Sequence, residues 1–183
     1  MKTKFFLLSF LLLLSGMLFS QSRPESAQSL LNKAYKQAAR EKKNVFVIFH
    51  ASYCGWCRKL DASINDPLCS TFFSKSYVFV HVTADEAKEK KDLENPGGDE
   101  MLLKYAGTES GVPFFIILDR KGALLADSKL RKAGDSLDKP GENIGCPASD
   151  EEVAAFINIL RKTSKITDQE ADAVSARFKK NRN

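Results

Sequence analysis

The feature that most constrains this chain is the stretch HASYCGWCRKL, His50 to Leu60, in which two cysteines in C-x-x-C spacing follow the apolar run NVFVIF and open a helical pattern. A short apolar run without alternation is the mark of a strand covered on both faces, as in a parallel sheet. Cys54 then sits at a strand-to-helix junction, where unpaired backbone N–H groups and the positive end of the helix dipole favour an anion. A thiolate there titrates below the ordinary cysteine value of about 8.5. Cys57, one turn later, faces the same side within reach of disulfide closure, but deeper in the helix. Cys54 therefore reads as the attacking thiol and Cys57 as the thiol that resolves the mixed disulfide. On the residues alone, half of a metal site and a structural clip remain alternatives.

The surroundings narrow these readings. Lys2 and Lys4 precede the apolar run Phe5 to Phe19, and Ser20 follows closely. That order is the pattern of a secretory signal peptide over residues 1–20, with cleavage after Ser20. The run is short for a spanning helix, which needs about 20 apolar residues, although an uncleaved anchor stays open. The mature protein is expected to be exported, periplasmic or secreted, and soluble. Outside the cytosol disulfides persist, and C-x-x-C points to redox chemistry or a staple more than to zinc. A metal site would have to recruit Cys69, Cys146, His50 or His81, and no second C-x-x-C or H-x-H spacing gathers them; no metal and no cofactor are expected. The net charge of +5 includes the two leader lysines, and no basic stripe is interleaved with aromatics, so no nucleic-acid partner is expected.

Helical periodicity from Ala27 to Ala38, with Ser22 and Glu25 as a capping box and Asn44 as a stop, precedes the first strand. A helix from about Gly55 to Asn65 ends at Asp66-Pro67. A short helix in PLCSTFFSKS, a second buried strand YVFVHVT, an exposed charged excursion ADEAKEKKDLENPGGDE and a short helix DEMLLKYAG follow. FFIILD and ALLAD flank RKG as a hairpin. Ser128 to Ala148 is polar and long for a plain connector. Two helices close the chain, capped by Ser149 with Glu152 and by Thr167 with Glu170. The order predicts an α/β fold, a central sheet with helices on both sides.

At this point the sequence resembles the thioredoxin-like superfamily, and within it the exported thiol-disulfide oxidoreductases. YCGWC is the first mark; GVPFFIILDRKG, matching the family's Ile/Val-Pro segment before a strand and turn, is the second. The resemblance runs from about Val45 to Leu160. It implies a thioredoxin-like domain over residues 21–163, its central mixed sheet flanked by helices, with an extra C-terminal helix in the extension 164–183. It also implies a cis Pro113 against the active-site disulfide, and a Val112 backbone that binds substrate chain. Where many thioredoxins carry a buried Asp six residues before the first cysteine, this chain has Ile48. Tyr53 replaces the usual Trp and is expected, with Trp56, Val112 and Pro113, to contact substrate; the dipeptide between the cysteines is Gly55-Trp56. Trp56 is either a platform for a partner chain or packed on a neighbouring loop.

The remaining candidates stay open. His81 is expected in the core. His50 is expected to pack, with tuning of Cys54 as its alternative role. Cys69 looks buried and Cys146 more exposed; they form a second disulfide or remain thiols. The leading expectation is an exported enzyme that reduces protein or peptide disulfides through Cys54 and Cys57, monomeric and recharged by a membrane-bound electron donor. The alternatives are a disulfide-forming or isomerising oxidoreductase, and a binding module in which Cys54–Cys57 is a clip.

Overall fold

The computed structural model describes residues 23–106, 111–132 and 134–182. The expected leader and Ser22 lie outside them. Helix α1 (Ala27–Glu41) is capped by Ser26, whose hydroxyl accepts from the Ser29 N–H at 3.2 Å. The cap is thus Ser26 rather than Ser22, because Glu25 reaches forward instead, to the Ser29 hydroxyl and at 2.6 Å to Lys33. The helix stops at Lys42, which takes a left-handed conformation with φ 56°, and Asn44 is already the first residue of β1 (Asn44–His50).

The other elements are α2 (Gly55–Ile64), α3 (Ser70–Ser76), β2 (Tyr77–Thr83), α4 (Gly98–Ala106), β3 (Phe114–Leu118) and β4 (Leu124–Asp127). The short strands β5 (Lys129–Leu130) and β6 (Glu142–Asn143) precede α5 (Asp150–Thr163) and α6 (Asp168–Phe178). The main sheet runs β2-β1-β3-β4. β1 is parallel to β2 and antiparallel to β3, so the sheet is mixed, with β1 and β3 inside.

Alternation along the two inner strands sends side chains to opposite faces. Phe46 and Ile48 of β1, with Phe115 and Ile117 of β3, face α2, α5 and α6. Val45, Val47 and Phe49, with Phe114 and Ile116, face α1 and α4. Both inner strands are therefore apolar without alternation. Phe156 of α5 is the hub of the first face, with ring centroids 5.6 Å from Phe115, 4.9 Å from Phe178 and 6.3 Å from Phe73. The segment beyond residue 163 is part of this core: Ala171, Val174 and Phe178 of α6 are buried in it. Both expected capping boxes form, Ser149 with Glu152 and Thr167 with Glu170.

Three expectations are corrected. β2 is an edge strand, so its Tyr77-Phe79-His81 face runs out of cover, and His81 is exposed rather than in the core; its Nε2 lies 2.8 Å from Asp61 Oδ1 on α2. The charged excursion after β2 is not exposed throughout, since Ala84 and Glu86 are buried. Nor is the stretch 128–148 without structure. Arg131 grips Asp127 with two hydrogen bonds of 2.6 and 2.8 Å and donates to the carbonyls of Lys139 and Leu137, and β5 and β6 pair beyond it.

Phe156→Ala should lower the unfolding free energy by about 3–5 kcal/mol, because a ring buried among three others leaves a cavity that cannot close. Leu103→Ala, at a residue 53% exposed, should stay within about 0.5 kcal/mol. Urea titration of the oxidised protein measures both.

Candidate active site

The parallel register of β1 with β2 ends on His50 opposite Thr83, and β3 begins beside Phe49 with Phe114. The residues leaving β1, those leaving β2 and those entering β3 therefore meet at one end of the sheet. Ala51 to Cys54, Ala84 to Glu86, and Val112-Pro113 occupy that corner. The Val112–Pro113 peptide is cis, as the family resemblance implies.

Cys54 is the N-cap of α2. Its backbone is extended, its N–H donates to Ala51 O at 3.0 Å, and its sulfur accepts from the Cys57 N–H at 3.0 Å. A sulfur thus takes the acceptor position that Ser or Asp usually fills at a helix start. The same N–H, with the helix dipole behind it, stabilises a Cys54 thiolate once the pair is reduced. Cys54 and Cys57 form a disulfide with Cα atoms 5.3 Å apart. Both are nearly covered, and they share an apolar contact cluster with Ala51 and Val112. Cys54 Sγ lies 3.6 Å from the Val112 carbonyl oxygen, so the thiol site and the cis-proline segment touch.

A groove of about 570 Å³ opens from this contact, lined by Trp56, Val112, Pro113, Asn143, Ile144 and Cys146 among others. Trp56 is half exposed at its rim, with the Lys59 ammonium 4.6 Å above the ring centroid. It does not pack away under a loop. Tyr53 is also exposed; its hydroxyl donates to Asp85, whose carbonyl oxygen is at 3.0 Å.

The position of the missing acid is filled by Ile48, enclosed in the apolar core. A carboxylate is nonetheless buried nearby: Glu86 accepts from the Ser52 backbone N–H and, at 2.8 Å, from the Ser52 hydroxyl. It fixes the loop two residues ahead of Cys54. Sequence reasoning passed over Glu86 because it opens a run of solvated charges. The signal that finds it is topological, since two parallel strands must release their following residues side by side. His50 is half-buried, with Thr83 Oγ1 3.3 Å from its Nε2 and the His81 ring edge-on at 5.5 Å. Burial, helped by the neighbouring His81, lowers its pKa, so His50 is neutral at neutral pH and brings no positive charge towards Cys54.

Cys69 and Cys146 are separate buried thiols and not a second disulfide. Cys146 is also less exposed than its polar neighbours suggest, at 7%. Cys69 donates to Ser63 O at 3.0 Å, the Ser63 hydroxyl donates to Asn181 Oδ1 at 3.0 Å, and Asn181 Nδ2 donates to Cys146 at 3.4 Å. A buried asparagine from the closing turn of the chain thus stands between them, and it ties α2 to the groove segment through Pro147 O at 3.1 Å. Among the described residues no group of three or more His, Cys, Asp or Glu side chains is arranged to hold a metal ion.

Burial pushes the Cys69 thiol up to about 11 and the Cys146 thiol up to about 12. In the native oxidised protein an alkylating reagent at mildly alkaline pH should therefore label neither, and denaturant should release both. Raised folded values also set a sign. Unfolded thiols begin to ionise near 9.0 while the buried ones keep their protons, so this contribution to stability is complete below 9.0 and is lost as pH climbs towards 11 and beyond. Quantitative thiol labelling and denaturant midpoints across that range check both statements.

Residues 26–120 match the model of the thioredoxin-like family. Among solved structures, a disulphide isomerase from Xylella fastidiosa Temecula1 is 16% identical, covering 91% of this chain and 97% of its own, with a TM-score of 0.48. An oxidoreductase named DsbH is 18% identical over 83% of this chain and 96% of its own, with a TM-score of 0.41. A thioredoxin from Thermus thermophilus is 22% identical over 57% of this chain and 72% of its own, with a TM-score of 0.41. No curated protein matches the sequence. The fold, the C-x-x-C disulfide at the start of α2 and a family match over half of the chain together lead to one conclusion: the chain belongs to the thioredoxin-like family.

Proposed function

We propose that the protein is an exported thiol-disulfide oxidoreductase that reduces disulfides in proteins or peptides. The observation that carries this reading is the placement of Cys54 Sγ. It accepts from the first turn of a helix on one side and touches the Val112 carbonyl, 3.6 Å away, at the mouth of an open groove on the other. A structural clip needs neither an anion-stabilising position nor a groove.

In the reduced protein the Cys54 thiolate attacks one sulfur of a substrate disulfide. The substrate S–S bond breaks, a Cys54–substrate bond forms, and the departing substrate thiolate takes up a proton. Deprotonated Cys57 then attacks Cys54 Sγ, the mixed bond breaks, and the second substrate thiolate leaves and is protonated. Two electrons and two protons have passed to the substrate, and the Cys54–Cys57 disulfide remains. Val112, Pro113 and Trp56 hold the substrate chain during the first attack.

The charges around Cys54 support the reducing direction. Strong oxidants owe their potential to a heavily stabilised thiolate. Here the helix start supplies stabilisation, Gly55 and Trp56 add no cation, His50 is neutral, the Lys59 ammonium lies over the Trp56 ring, and the Arg58 guanidinium beside the pair is engaged by the Ser52 carbonyl at 3.3 Å. The leader over residues 1–20 supports an exported location, periplasmic or secreted, and export requires that a separate donor return electrons to the pair. A membrane-bound partner is the donor in this reading, and no helix among the described residues is long and apolar enough to cross a membrane. The protein acts as a monomer in this reading.

Iodoacetamide at neutral pH should modify Cys54 before Cys57 in the reduced protein, and peptide mapping reads the order. Cys57→Ser should accumulate mixed disulfides with substrate proteins in its host, and Cys54→Ser should accumulate few. Preferential labelling of Cys57, or equal trapping by both variants, contradicts the roles assigned.

A further inference from the structure

The groove beside Cys54 has a wall that the redox pair and the cis-proline segment do not supply, the turn from Gly141 to Cys146. The Asn143 side chain bonds it to the cis-proline segment. Asn143 Nδ2 donates to Gly111 O and to Pro113 O, each at 3.0 Å. Its Oδ1 accepts from the Ser128 hydroxyl at 2.7 Å and from the Gly145 N–H at 3.0 Å. An asparagine amide has two donors and two acceptor positions, and all four are used. The orientation of the amide is fixed by its partners, because two carbonyls require the nitrogen and a backbone N–H requires the oxygen.

The two carbonyls belong to the residues on either side of Val112, the residue whose own carbonyl touches Cys54. Ser128 carries the link onward: its hydroxyl accepts from Phe115 N at 3.2 Å, and its backbone pairs with Phe115 O at 2.9 Å and with Ile144 N at 2.8 Å. A closed ring of hydrogen bonds thus joins the start of β3, Ser128, Asn143 and the cis-proline segment. The approach is close. Gly145 has φ +47°, and a Cβ there would stand 3.1 Å from Pro113 O.

We propose that Asn143 is a positioning residue for polypeptide capture, holding the peptide groups around Val112 in the shape that pairs with an extended substrate chain. The turn it belongs to then forms the second side of the groove. This rests on the thiol-disulfide reading above and adds to it a residue of this chain that serves disulfides carried on extended polypeptide and not small free disulfides. A short disulfide needs only the Cys54 thiolate. An extended chain must also add its backbone to a rigid edge, and a wandering edge costs orientation at the attack step. No other side chain replaces Asn143. Asp keeps the two acceptor contacts but turns an oxygen onto two carbonyls, and Gln is one methylene too long.

The test compares two disulfides on one reduced protein: a glutathionylated extended peptide and hydroxyethyl disulfide. For Asn143→Ala, kcat/KM with the peptide should fall about tenfold, mainly through KM, while the rate with hydroxyethyl disulfide stays within about twofold. Asn143→Asp should fall at least as far with the peptide. The glutathione equilibrium of both variants should match the parent, which a general disturbance of the thiol site would not preserve. Equal losses with both disulfides, or no loss with the peptide, overturn the proposal while leaving the redox reading in place. A parent protein inert to both disulfides overturns the redox reading and this proposal with it.

Discussion

The site depends on the register of β1 against its two neighbours. Parallel pairing with β2 and antiparallel pairing with β3 put the exits of β1 and β2 and the entrance of β3 at one corner. A slip of one residue would turn Ile48 and Phe115 to the other face and break both apolar clusters, so the core itself enforces the alignment. Cys54, Glu86 and Pro113 lie far apart in sequence and converge for that reason. The thiol chemistry inherits its geometry from the packing of phenylalanines on either side of the sheet.

Within that corner the charges are sparing. The helix start and the Cys57 N–H act on Cys54, burial keeps His50 neutral, the carboxylate of Glu86 is committed to Ser52, and the Arg58 guanidinium is held by the Ser52 carbonyl. The proposed reducing direction rests on this arrangement giving a Cys54 thiolate moderate rather than extreme stabilisation. The two remaining cysteines are withdrawn from exchange by burial and by the asparagine between them, which leaves one pair to carry electrons.

Much of this was legible in the chain. NVFVIF announced a strand covered on both faces, FFIILD announced one arm of a hairpin, and Ser149 and Thr167 announced helix starts through local hydrogen bonds. The C-x-x-C and the Val-Pro segment placed the redox centre and one side of its groove. What escaped depends on contacts between distant segments. His81 follows an apolar pattern, yet its strand is an edge. Glu86 looks like one more solvated charge until the two strand exits are set side by side. Asn143 and Asn181 are single polar residues in polar stretches, and nothing local marks an amide that will bind across 30 or more residues.

The central claim is that Cys54–Cys57 is an exchanging pair and not a clip. Equilibration of the native protein with glutathione buffers of graded ratio, followed by acid quench and thiol trapping, reads it most directly. The account predicts a single two-electron transition with a midpoint between about −200 and −270 mV. A pair that stays oxidised below about −300 mV would behave as a structural disulfide and contradict the account, and a midpoint more oxidising than about −150 mV would contradict the reducing direction.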